Sequence, residues 1–126
     1  MISAEIVRDL FLARLREPEF DMRDVLGAYD IEQRFPRGWH RANIIAFPHE
    51  VFLYVAVKVR HLRRAGVNLR LGRLHVPRLG SLRVVHSFSP YYLEYEGIRL
   101  EIRNDTSREL VEAAVGQLAN AILAGV

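Results

Sequence analysis

The 126-residue chain is 50% hydrophobic and 26% charged and contains no cysteine. That length suits one domain with a core of its own. The balance excludes a disordered segment, and the lack of thiols excludes a disulfide frame or a thiolate metal site. The formal charge of +3 conceals a concentration: from Gln33 to Arg83 eleven cations meet one acid, Glu50, so this window carries +10 and the two flanks together −7. Such a window attracts polyanions, with nucleic acid the first to consider.

In chain order, Ser3 is placed as an N-cap, and Ile6, Val7, Leu10, Phe11 and Leu15 follow at helical spacing until Pro18 closes the helix. A second short helix is expected from Asp21, with Met22, Val25 and Leu26 inward and Gly27 near its end. Pro36 and Gly38 break the chain in a loop over residues 33 to 41. From His49 to Ala65 two periods compete. Val51, Leu53, Val55, Val57 and Val59 alternate as in a strand, while Val51, Val55, Val59 and Leu62 stack as in a helix. Pro48, Glu50 in a first turn and the stop Arg63-Arg64-Ala65-Gly66 favour the helix.

Leu82 to Phe88 and Tyr91 to Tyr95 read as strands, and Glu96-Gly97 as a tight turn into Ile98, Leu100 and Ile102, which completes a hairpin. Asp105, Thr106 or Ser107 caps a closing helix with Leu110, Val111, Ala114, Leu118 and Ile122 on one face. The near-uncharged run over residues 42 to 57 contains His49 and Glu50 and is too short to span a bilayer. Nothing reads as a signal peptide, so a soluble cytoplasmic protein is expected.

The basic window holds two candidate sites. In the loop, Gln33, Arg34, Arg37, Trp39, His40 and Arg41 combine cations with stacking surface, a mixture that serves phosphate and base contacts. The plainer alternative is that Phe35 and Trp39 anchor the loop to the core while the arginines are solvated. Lys58, Arg60, Arg63 and Arg64 gather at a helix end, where they either clamp phosphate or complement the helix dipole. His40, His49, His61, His75 and His86 show no metal-ligand spacing, and Ser81, Ser87 and Ser89 have no nucleophile context. No metal, cofactor or catalytic residue is expected.

The stretch Phe47-Pro48-His49-Glu50-Val51 through Val59-Arg60-His61-Leu62-Arg63-Arg64-Ala65-Gly66-Val67-Asn68-Leu69 resembles the post-wing part of MerR-type winged helix-turn-helix regulators. There an aromatic residue opens a helix that ends in a Leu-Arg-x-Ala-Gly-Val-x-Leu phrase. A hairpin followed by Leu110-Val111-Glu112-Ala113-Ala114-Val115-Gly116-Gln117-Leu118 is similar to the end of some short MerR-like proteins. The resemblance covers roughly residues 47–69 and 91–118. It departs from the family at residues 21 to 39, where the helix-turn-helix would lie: Asp30 and Glu32 face phosphates poorly, and Pro36 and Gly38 end the second helix early. The leading helix over residues 3 to 16 also has no counterpart in the family's shortest form.

The resemblance implies an α+β chain forming a single domain over residues 1–126. A small helical, winged helix-turn-helix-like core (residues 1–80) would bind DNA. An antiparallel β-hairpin and C-terminal helix (residues 81–126) would serve dimerisation or docking. The expected function is that of a small transcriptional regulator, not an enzyme, with double-stranded DNA and a second copy of the chain as partners. The alternative from a different class is a protein-interaction module, antitoxin-like or a phage-type adaptor, whose basic face meets an acidic partner.

Overall fold

In the computed structural model, the backbone is described for residues 1–15, 20–25, 28–35, 38–88 and 95–124, and side chains for 1–15, 42–86 and 97–124. The element order is α1 (Ala4–Arg14), β1 (Phe20–Val25), β2 (Ala28–Phe35), β3 (Gly38–Ala46), β4 (Glu50–Lys58), α2 (Val59–Arg64), β5 (Leu69–Arg70), β6 (Arg73–Val76), β7 (Gly80–Phe88), β8 (Tyr95–Arg103) and α3 (Arg108–Leu123). The strands form one eight-stranded antiparallel sheet in the order β1-β2-β3-β4-β8-β7-β6-β5. It consists of two meanders, β1–β4 and β5–β8, joined by α2 and sealed along β4 and β8. The sheet dominates the fold, which corrects the expected helical winged helix-turn-helix core followed by a hairpin. Strands from both sides of residue 80 pair with one another in this sheet.

The decisive element is β4. Its residues alternate strictly between buried and partly exposed, with Val51, Leu53, Val55 and Val57 inward. Leu53 would lie off the helical stripe of Val51, Val55, Val59 and Leu62, yet it is fully buried. A run rich in β-branched residues, paired on both sides, satisfies its backbone in the two ladders and its side chains in one face. The helix-stop signal was real, but it ends a helix of six residues. Gly66, at φ +70°, donates to the Arg63 carbonyl (3.0 Å) and Val67 to the Leu62 carbonyl (3.0 Å), a Schellman closure.

Three other expectations are overturned. The segment from Asp21 is β1 and β2 rather than a helix, with Met22 opposite Ile31 and Asp21 opposite Glu32. The loop over residues 33 to 41 is the β2–β3 hairpin, with residues 36–37 outside the described ones. Glu96 and Gly97 lie within β8, paired with Phe88 and Ser87 on one side and Val57 and Ala56 on the other. A residue pair that favours a turn locally is therefore held extended by two ladders. The expected strand Tyr91 to Tyr95 lies, except for Tyr95, outside the described residues.

The helical ends match their spacing. The Ser3 side chain accepts from the Ile6 amide at 3.2 Å, and Ser107 accepts from Leu110 at 3.3 Å. α3 buries Leu110, Val111, Ala114, Val115, Leu118, Ala119, Ala121 and Ile122. With Val7 and Phe11 of α1 and Leu62 of α2, these residues join the inward side chains of β3, β4, β6, β7 and β8 in one core. α1 lies against α3 at Gly116, where a Cβ would stand in ordinary contact, 3.5 Å, with the Arg14 guanidinium. No helix among the described residues is long and apolar enough to cross a membrane.

Neighbouring residues of β4 provide a direct check. Leu53→Ala is expected to lower the free energy of unfolding by about 2–5 kcal/mol, because it empties a closed core site. Phe52→Ala, on the half-exposed face, is expected to cost about 1 kcal/mol. Urea denaturation of the two variants measures both; equal losses would contradict the strand alternation.

Candidate interaction face and cleft

Because every described helix packs on one side of the sheet, the other side is left uncovered among the described residues. Ladder register assembles it in rows. One row runs Ile45, Phe52, Glu101, Arg83, Arg73 across β3, β4, β8, β7 and β6. The next runs Asn43, Tyr54, Arg99, Val85. The same alternation that buries Val51, Leu53, Val55 and Val57 thus brings Phe52 and Tyr54 beside Arg99 and Glu101.

Phe52 is the centre of this surface. Its ring lies 4.6 Å from Phe47 at 54° and 6.2 Å from Tyr54 in an edge-on arrangement. The Arg99 guanidinium carbon sits 4.9 Å above its centroid, within cation–π range. Glu101, only 11% exposed, lies 3.7 Å from Arg83 Nε and 3.6 Å from Arg99 Nη2. Arg83 is 68% exposed, so its pairing with Glu101 contributes about 0–1 kcal/mol. Buried atoms Arg99 Nε and Glu101 Oε2 have no hydrogen-bond partner within the described protein. The middle of the face is thus apolar, aromatic and internally ion-paired, with Arg73 and Arg103 toward one end.

At that end the sheet opens. The β7–β8 ladder stops at Arg83 opposite Glu101, whereas β7 continues against β6 to Gly80 and β8 continues against β4 to Arg103. The two strands splay, and a cleft of about 320 Å³ occupies the wedge. Arg73, Arg83, Arg103, Glu50, Glu101, Ser81 and Thr106 contribute its polar lining, and the buried Leu82 and Leu110 an apolar wall. Arg73 is fixed there: Nε donates to Ser81 Oγ at 2.6 Å and Nη2 to the Ser81 carbonyl at 3.1 Å. No cluster of three metal-ligating side chains occurs among the described residues.

The candidate nucleic-acid residues fall in two places, the β2–β3 hairpin and the α2 region. Gln33 and Arg34 stand on β2, opposite His40 and Trp39 of β3, and Arg41 stands opposite Glu32. The side chains of these residues lie outside the described ones, as does all of Arg37. Lys58 ends β4, while Arg60, Arg63 and Arg64 are exposed on α2. Arg64 Nη1 donates to the Ala124 carbonyl at 3.0 Å, at the C-terminal end of α3, so this cation complements a helix terminus. Arg73 and Arg83 belong to the opposite side of the sheet, and Arg78 to the β6–β7 turn. The +10 window is therefore not one patch. Sequence reasoning passed over Phe52, Tyr54, Arg99, Glu101 and Arg103 as a group. The available signal was the pair of period-2 alternations, 51–58 and 98–103, read as adjacent strands.

α2 also carries the buried histidine. His61 is 6% exposed, and its Nδ1 has no hydrogen-bond partner. Burial first, and then the neighbouring charges of Arg60, Arg64 and Lys58, hold its pKa below the ordinary histidine value. No family model matches the chain, and no curated protein or solved structure matches it.

A lowered histidine pKa means that the unfolded chain binds the proton more readily. His61 therefore contributes its full stability above about pH 6.5, and this is lost as pH falls through its folded value. The stability difference between the wild type and His61→Gln is expected to shift in favour of the variant from pH 7 to pH 5. Denaturant titration of both proteins across that range measures it; a difference independent of pH would show that His61 is not buried in its neutral form.

Proposed function

We propose that this chain is a protein-interaction module that engages an acidic and apolar surface of its partner through the uncovered face of the sheet. The observation that carries this reading is the Phe47–Phe52–Tyr54 cluster capped by Arg99, set between the half-buried Ile45 and Val85. Aromatic residues and arginine are the side chains most enriched where protein interfaces derive their binding energy. The placement of carboxylates among the cations, rather than the net charge, favours protein over nucleic acid. On the described part of this face Arg73, Arg83, Arg99, Arg103 and Lys58 are interspersed with Glu50 and Glu101. A phosphate backbone crossing it would meet those two carboxylates, whereas a folded partner with its own mixed charges can complement them. The cations of α2 lie away from this face and do not extend it.

A photo-reactive benzoylphenylalanine at Tyr54 of the full chain, expressed in its own cells, tests the reading. The expected product is a protein adduct that resists nuclease, falls severalfold with Arg99→Glu, and is absent when the probe is placed at Arg63 on α2. A nuclease-sensitive adduct at Tyr54, or equal adducts from both positions, would falsify it.

A further inference from the structure

We infer that the wedge between β7 and β8 is a binding site for a small oxyanion, a carboxylate or phosphate group carried on a ligand with a short apolar portion. The inference rests on the strand splay and its lining, independently of the aromatic cluster. The site is built by topology: β7 keeps its pairing with β6 and β8 with β4, but not with each other beyond Arg83 and Glu101. The resulting volume of about 320 Å³ falls at the small end of ligand sites, about 300–1,000 Å³.

Three arginines from three different strands line this one opening. Arg73 is oriented by its two bonds to Ser81. Arg83 and Arg103 approach Glu101 and Asp105 through Nε, at 3.7 and 3.4 Å. Anchoring at that edge leaves the terminal nitrogens as the fork that meets a planar or tetrahedral oxyanion. The Thr106 hydroxyl is a further donor, and Leu82 and Leu110 accept the apolar portion. With Glu50 and Glu101 also in the lining, three cations face two anions. Asp105 beside Arg103 offsets the remaining charge, so recognition rests on the directional donors of the arginines and Thr106, which suits a single oxyanion group rather than a polyphosphate chain.

Two probes separate the possible carriers of the charge: inorganic phosphate and benzoate, each titrated into the full chain at constant ionic strength. Backbone and arginine Nε–Hε resonances are followed by NMR. The expected result is saturable shifts at Ser81, Arg83, Arg103 and Thr106 with at least one probe, and the one that saturates first identifies the ligand class. Arg83→Gln and Arg103→Gln, both at exposed positions where folding is retained, should each weaken that binding about tenfold, the equivalent of one charge-assisted contact. Shifts that rise linearly with both anions, or saturation unchanged in both variants, would overturn the site. Neither result alters the Tyr54 cross-link, so the two readings fail separately.

Discussion

The structure depends on the seam between β4 and β8. Nine residue pairs, from Glu50 opposite Arg103 to Lys58 opposite Tyr95, join two meanders that would otherwise each end in an open edge. The seam places Val51, Leu53 and Val55 against Ile102, Leu100 and Ile98, so the most buried side chains of both halves share one face. A slip of one residue would turn every one of them outward. α1 and α3 complete the arrangement by covering that face, with Asn104 linking the end of β8 to the N-terminus. Its carbonyl accepts from Ile2, and its amide donates to the His49 carbonyl.

A sheet covered on one side has a consequence for function. The inward face is committed to the core, and whatever recognises a partner stands among the alternate residues. Phe52, Tyr54, Arg99 and Glu101 occupy those positions, and their mutual contacts hold the surface in a defined shape before anything binds. The seam also explains the cleft. β8 stays with β4 to its end while β7 follows β6, and the divergence brings arginines of different strands to one opening. The concentration of charge along the chain dissolves for the same reason: residues close in sequence are carried to opposite sides of the sheet and to the far end of α2.

Legibility in the sequence followed locality. Ser3 and Ser107 as caps, the inward stripes of α1 and α3, and the stop at Gly66 depend on bonds within one or two turns, and they stand where the spacing puts them. β4 did not yield to the same reasoning, because Pro48, Glu50 and Arg63-Arg64-Ala65-Gly66 supply local helix signals that only the flanking ladders overrule. The resemblance at residues 47–69 rested on a helix opening near Phe47, and that stretch is a strand, a short helix and a turn. Glu96-Gly97 failed likewise, since a turn-favouring pair was absorbed into a strand with partners on both sides.

By itself, the sequence determined the helices at its two ends, the alternation of apolar residues along 51–58 and 98–103, and the presence of abundant arginine. Each of these is written in near-neighbour spacing. Tertiary structure alone decided that the two alternations are adjacent strands, that Phe52 and Arg99 share a surface, and that Arg73, Arg83 and Arg103 meet at one cleft. The reason is physical: strand pairing is a contact between distant segments, and its register follows from burying one face of the whole sheet rather than from any residue's immediate neighbours.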